Sequence, residues 1–225
     1  WLDTLNAQPV PRMALDVPSG LDADTGAPLG CCFRATHTTT FIALKPGLLT
    51  NDGPDHCGEI TVQRLDIDCP AWVPAPGHGV TPALFARRLT PRLRNTHKGR
   101  NGDVGILGGD AGMTGAALLA GRAALWLGAG RVYVGLLDAD APSVDFAHPE
   151  LMLRRAAELP TQLSVRALGP GLGLSVTAAT ALAAAVADEA PLVLDADALN
   201  ILSVDKPLQQ LIAARSAPTL LTPHP

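Results

Sequence analysis

Short apolar runs broken by glycine-rich or carboxylate-rich punctuation set the rhythm of this 225-residue chain. The clearest unit lies in its middle. Residues 103–107 predict a short buried strand, the turn Gly108-Gly109-Asp110-Ala111-Gly112 follows, and an Ala/Leu helix then runs to near Gly128. Before this unit, residues 10–17, 36–44 and 58–67 predict three strands, rich in β-branched residues in the second case. After it, residues 131–137, 163–168, 191–194 and 218–221 predict four more. Residues 176–186 predict an Ala-rich helix with Ser175 as its N-cap. Strands alternating with helices imply an α/β protein with mostly parallel sheets in three layers. Residues 68–82, with four prolines and two glycines, read as a linker.

The loops after the strands carry the candidate chemistry. In the second half, four strands end in GGDAG (108–112), GPGLG (169–173), DADALN (195–200) and TPHP (222–225). Parallel strands bring all four loops to one carboxyl edge, where open α/β sheets bind ligands. Glycines let backbone N–H groups approach an anion, and a helix N-terminus favours negative charge. Gly115 and Gly121 extend that access along the helix, or serve tight helix–sheet packing. With the carboxylates and amide of the third loop and His224 of the fourth, the set suits a phosphorylated ligand bearing a hydroxyl or amide. The spacing is neither G-x-G-x-x-G nor a P-loop, and no serine sits in a G-x-S-x-G elbow, which speaks against a nucleophilic triad.

In the first half, Asp16 closes a strand and suits a ribose hydroxyl or, with Ser19, a cation. Asp22 and Asp24 read as a solvated turn, and Lys45 as a solvated lysine with a phosphate contact as the alternative. Residues 87–98 form a basic surface without interleaved aromatics, whose end brings His97 and Lys98 toward the ligand. His37 and His56 read as structural or solvated, His78 as exposed, and His148 as the end of a loop. Met113, Trp126 and Tyr133 are expected in or near the core.

Composition narrows the class. Hydrophobic residues make up 47% of the chain, enough for a buried core, and the formal charge of −4 speaks against nucleic acid or an anionic membrane as partner. Four cysteines without metal spacing suit reduced thiols and a cytoplasmic setting. No leader or membrane-length apolar run is read. The start at Trp1 and the stop just after a strand-like run are read as the ends of a fragment.

These residues resemble the bifunctional NAD(P)H-hydrate repair enzymes. Residues 1–67 are similar to the C-terminal part of the hydrate epimerase domain, a Rossmann-like fold, through ALDVPSGLDADTG (14–26) and TFIALKPGL (40–48). Residues 83–225 are similar to the N-terminal part of the ADP- or ATP-dependent hydrate dehydratase, a ribokinase-like fold, through His97-Lys98-Gly99, the stretch 108–130 and the three later loops. The resemblance implies epimerisation of R and S NAD(P)H hydrate with a bound K+, and nucleotide-dependent dehydration of the S form with ADP or ATP and Mg2+. It implies that Asp16 contacts the hydrate and Ser19 the potassium ion. In the dehydratase half it implies hydrate contacts at Ala116, Gly171 and His224. The partner is hydrated NADH or NADPH, and a homo-oligomer is expected. The family's catalytic Asp belongs to a later glycine-rich anion hole, so it is expected beyond residue 225, and Asp110, at the first strand of its domain, is not assigned that role. Two competing readings are a sugar or hydroxymethylpyrimidine kinase on the same fold and a non-catalytic nucleotide- or protein-binding module. The epimerase-like segment ahead of the kinase-like one disfavours the first.

Overall fold

The computed structural model describes residues 1–67, 73–75, 77–89 and 91–224. Pro225 and residues 68–72 and 76 of the proline-rich stretch expected as a linker, Cys69 among them, lie outside the described residues. The chain divides into two compact units, residues 1–90 and 91–224.

The first unit holds a parallel sheet of three strands in the order β1-β2-β3: β1 (Met13–Leu15), β2 (His37–Phe41) and β3 (Glu59–Gln63). Each strand is shorter than the apolar run that announced it. Around the sheet lie the short helices α1 (Leu2–Asn6) and α2 (Gly53–Cys57), with α3 (Pro82–Phe85) later in the unit. Leu21, Cys32, Leu48 and Cys57 form its core. Thr38 and Thr40 of β2 are fully buried. Thr38 resolves its hydroxyl by donating to the Cys57 carbonyl at 2.6 Å, because a buried hydroxyl without a partner is costly. Cys31, Cys32 and Cys57 are free thiols.

The second unit is the larger. Its sheet has six parallel strands in the order β6-β5-β4-β7-β8-β9. They are β4 (Asp103–Gly108), β5 (Arg131–Leu136), β6 (Met152–Arg155), β7 (Val165–Leu168), β8 (Leu192–Leu194) and β9 (Thr219–Leu221). The sequence predicts five of these; β6 adds a sixth. It is an edge strand in which only Leu153 is buried and two arginines follow, so no alternation marks it.

Alternation along the inner strands sorts two cores. Ile106, Val132, Val134 and Leu136 face α4 (Thr114–Trp126), whereas Leu107, Leu168, Leu192 and Leu194 face the other side. On that side pack α5 (Val176–Val186), α6 (Ala196–Val204) and α7 (Lys206–Ala214). Helices on both faces of a parallel sheet make the three-layer α/β architecture. Ser175 caps α5 as predicted, its side chain accepting from the Ala178 N–H at 3.1 Å.

The two helical glycines of α4 separate by role. A Cβ on Gly121 would come within 2.9 Å of Val134 Cγ2, so this glycine sets the close packing on β5. A Cβ on Gly115 would meet nothing within 4 Å. Trp126 departs from expectation: it is 78% exposed and makes an edge contact with His148, ring centroids 6.0 Å apart. It sits on the outer stripe of α4, where a three-layer fold needs no apolar residue. Met113 is also 40% exposed, because it lies at the mouth of the loop before α4 rather than under it. Among the described residues, no helix is long and apolar enough to cross a membrane.

Candidate functional site

In the second unit, the order of strands sets the place. The chain steps from β4 outward through β5 and β6, then crosses back to β7 on the other side of β4 and steps outward the opposite way. The loops after β4 and β7 therefore part in opposite directions and leave a crevice at their carboxyl ends, the switch point at which such sheets bind ligands.

Main-chain hydrogen bonds lock the loops around that crevice. Gly109 N–H donates to the Pro170 carbonyl at 3.1 Å and Asp110 N–H to the Gly171 carbonyl at 2.7 Å. Asp195 N–H donates to the Leu168 carbonyl at 3.0 Å. The Thr222 hydroxyl donates to Asp195 Oδ1 at 2.8 Å, and Gly173 N–H donates to Asp197 Oδ2 at 2.9 Å. The glycines are there because nothing larger fits. A Cβ on Gly108 would collide with the Pro170 carbonyl, and one on Gly169 with the Asp195 carbonyl. Gly171 has φ +60°, and a Cβ there would lie 2.6 Å from the Met113 carbonyl and 3.3 Å from Ala116 Cβ.

Ala116 and Gly171 are thus neighbours, one in the first turn of α4 and the other in the loop after β7. His224 follows β9, two strands beyond β7, and is exposed. The N-terminus of α4 opens toward the same edge. Met113, its N-cap, makes no side-chain capping bond, and nothing would meet a Cβ on Gly112 or Gly115. Free N–H groups at a helix start, together with the dipole, favour an anion there. Lys98 does not join this edge: its carbonyl lies against Gly130, just before β5, at the amino end of the sheet. The DADALN stretch is not a loop but the start of α6, with Asp195 at the N-cap position and Asp197 in the first turn.

The carboxylates at this edge are the side chains that could meet a magnesium ion, and each is already bonded within the chain. Asp197 spends Oδ2 on Gly173 N–H and Oδ1 on the Asn200 amide, and Asp110 Oδ1 accepts from Ala111 N–H. Among the described residues no three His, Cys, Asp or Glu side chains converge on one point. The described residues therefore do not by themselves gather a magnesium ligand set. An apolar cavity of about 600 Å³ lies elsewhere, over the middle of β4 and β7 beneath α5, with Arg166 and Asp188 at its edge. It contains none of the glycine loops.

In the first unit, Asp16 ends β1 with φ +69°, a left-handed conformation that Asp tolerates better than most residues. Three donors converge on one of its oxygens: Lys45 Nζ, the Thr40 hydroxyl at 3.1 Å and the Phe41 N–H at 3.1 Å all bond Oδ1. The Lys45 ammonium bond and the Phe41 amide bond hold the Asp16 carboxyl below the usual carboxylate range. Lys45 also bonds Thr40 Oγ1 at 2.9 Å and the Phe41 carbonyl at 2.8 Å. An ammonium has three donors, and here all three are used. Lys45 is therefore neither solvated nor available to a phosphate, and sequence reasoning missed its role. No local pattern gives it away, since its partners come from positions 16, 40 and 41.

Ser19 lies on the surface three residues after Asp16, and its carbonyl accepts from Phe33 N–H at 2.8 Å. A potassium ion needs a cage of several oxygens to replace its water. Ser19 contributes one neutral hydroxyl, and no second side-chain oxygen is bonded to it. Asp22 behaves as a turn residue: its Oδ1 accepts from the Asp24 and Thr25 amides and the Thr25 hydroxyl.

A parallel sheet in the order 3-2-1-4-5-6 between two helical layers, with a glycine cradle at its switch point, gives the second unit the doubly wound α/β arrangement that binds ligands at that edge. Comparison with solved structures agrees: a ribokinase-like superfamily protein from Enterococcus faecalis matches with a TM-score of 0.50 at 26% identity, covering 60% of this chain and 49% of that one. The family model for NAD(P)H-hydrate dehydratase matches residues 104–225, and the chain belongs to that family. The model for the YjeF-related protein N-terminus matches residues 1–47. The bifunctional NAD(P)H-hydrate repair enzyme of Leishmania braziliensis is 37% identical over 98% of this chain and 45% of its own length. The repair enzyme Nnr of Escherichia coli K12 is 37% identical over 100% of this chain and 43% of its own length. The chain spans less than half the length of these relatives.

Proposed function

We propose that this chain serves nicotinamide-nucleotide repair, with the second unit taking part in dehydration of S-form hydrated NADH or NADPH and the first in R/S epimerisation of the same hydrate. The observation that carries the reading is the cradle at the β4/β7 crevice, found in a chain that belongs to the NAD(P)H-hydrate dehydratase family. Ala116 and Gly171 make a small, flat-walled contact, and any larger side chain at 171 would close it. This suits one face of a hydrated nicotinamide ring. The open N-terminus of α4 suits a phosphate of the dinucleotide or the phosphoryl group in transfer. His224, exposed beyond β9, is placed by this reading at the ligand's far side.

The reaction uses ADP or ATP. The hydrate's hydroxyl takes a phosphoryl group from the nucleotide, and loss of that phosphate restores the dihydronicotinamide. Magnesium would arrive on the nucleotide's phosphates and neutralise their charge. The residues described here bind and orient the hydrate, and fixing its hydroxyl is what converts a slow bimolecular encounter into an organised transfer. Epimerisation is assigned to the edge around Asp16, whose carboxylate accepts from a hydroxyl of the hydrate.

Titrating the chain with S-form hydrated NADPH by calorimetry tests the binding role. Saturable binding is expected, weakened at least tenfold in Gly171→Ala while the far-UV circular dichroism spectrum stays that of the parent chain. Equal affinity in the variant removes the cradle from the site.

A further inference from the structure

The repair reading leaves Lys45 without a part, and the geometry around it is more specific than a structural ion pair requires. All three protein donors at Asp16 converge on Oδ1, and among the described residues Oδ2 accepts from none. The Asp16 side chain as a whole stays 47% exposed, which leaves room for a ligand beside an oxygen that no protein donor claims. Lys45 is 26% exposed and anchored on both sides by Thr40, which is fully buried, and by the Phe41 carbonyl. The ammonium is tied at three points, and one of them is the carboxylate.

We infer that Lys45, seated on Thr40, is a positioning residue for Asp16: it holds the carboxylate by Oδ1 and presents Oδ2 as a fixed, ionised acceptor for a hydroxyl-bearing ligand. The inference rests on the epimerase reading of the first unit and deepens it. Three consequences follow from the chemistry. A carboxylate oxygen with no protein donor recognises a hydrogen-bond donor, so the group bound at Asp16 is a hydroxyl or an amide N–H and not a phosphate. The ligand's phosphates must lie elsewhere, since Lys45 has no N–H left to offer them. The left-handed backbone at Asp16 belongs to the same device, because it turns the chain out of β1 where the carboxylate can reach back to β2. Strain of this kind persists where surrounding bonds hold it, and here the Asp16 N–H donates to Thr39 at 2.8 Å while the side chain is tied to the end of the same strand.

The test combines a spectroscopic readout on the 225-residue chain with kinetics in a graft, in which the chain replaces the matching region of the Escherichia coli relative. With 13C-labelled aspartate, the Asp16 carboxyl is expected to titrate below its free value, to move upward in Lys45→Met, and to return most of the way in Lys45→Arg. In the graft, Lys45→Met is expected to lower kcat for R/S epimerisation about 100-fold, the usual penalty for a misplaced reacting group, with KM changing less than threefold. Lys45→Arg restores a large part of kcat, and Thr40→Val falls between. Asp16→Asn abolishes turnover. An unshifted Asp16 titration and an unchanged kcat in Lys45→Met, with Asp16→Asn still inactive, would overturn the positioning role and leave the epimerase reading standing. A wild-type graft with no epimerase activity beside an active parent enzyme would sink the reading itself.

Discussion

Asp110 donates its main-chain N–H to the carbonyl of Gly171 at 2.7 Å, which ties the loop after β4 to the loop after β7 across the switch point of the sheet. The bond helps a crevice lined by glycines and alanines hold its shape. Its geometry also makes the wall at Gly171 intolerant of change. Gly171→Ala adds a Cβ 2.6 Å from the Met113 carbonyl at φ +60°, and the loop must move. A loss of about 2 kcal/mol is expected, within the range for strain at a special φ combined with overpacking. Chemical denaturation checks it, and a midpoint equal to that of the parent chain contradicts the geometry.

Gly115 separates stability from function. It lies in the first turn of α4 with open space where a Cβ would stand. Gly115→Ala is therefore expected to stabilise the chain by about 0.5–1 kcal/mol, since alanine loses less backbone entropy in a helix. If the N-terminus of α4 receives a phosphate, the same methyl group weakens binding of hydrated NADPH. Thermal melting and calorimetry on one variant check both halves, and a gain in stability with unaltered affinity removes the phosphate from this helix end.

Arg215 closes the C-terminal end of α5. Its guanidinium donates to the carbonyls of Val186, Asp188 and Ala190, the last at 2.6 Å, which fixes the chain between α5 and β8. Charged donors to otherwise orphaned carbonyls contribute about 2 kcal/mol. Arg215→Ala is expected to lose about that much, and Arg215→Lys to recover less than half, because an ammonium cannot span three carbonyls with one planar fork. Urea unfolding of the two variants measures this directly.

Acid stability draws on several carboxylates held low in the folded chain, Asp16 and Asp188 among them. The Lys45 and Phe41 bonds hold Asp16 below its ordinary range, and the Ala190 amide with Arg166 does the same for Asp188. A folded pKa depressed below the unfolded value contributes stability that is present above the unfolded pKa, near 3.9, and is lost as pH falls through the folded value. The melting temperature is therefore expected to hold from neutral pH to about 5 and to drop below about 4. In Lys45→Met the Asp16 share disappears, so the gap between variant and parent narrows on acidification. A gap that widens toward low pH contradicts the assignment.

The parts of the fold that could be read from sequence are those where the local pattern and the tertiary outcome agree. The strand 103–107, the turn after it and α4 follow from an apolar run meeting glycines, and α5 from Ser175 and an Ala-rich stretch. The omissions have physical causes. At the edge, β6 buries Leu153 alone, so its two arginines look like loop. Alternating Asp and Ala hide the start of α6, although Ala198 and Ile201, three residues apart, bury one helical face. Lys45 could not have been read at all, because what fixes it is the register of β1 against β2, Leu15 opposite Thr39, which brings Asp16 beside Thr40. Trp126 shows the reverse: an aromatic within an Ala/Leu helix reads as core or near-core, yet its stripe faces outward.

The proposed repair function requires the loops of the second unit to hold hydrated NADH during nucleotide-dependent dehydration. The most direct measurement feeds S-form hydrated NADH with ADP, and then with ATP, to this chain grafted into the matching region of the Escherichia coli relative, and follows the return of NADH absorbance. Recovery that depends on one of the nucleotides, and that falls at least tenfold when His224 is replaced by Ala, is the predicted result. No recovery with either nucleotide, beside an active parent enzyme, would contradict it.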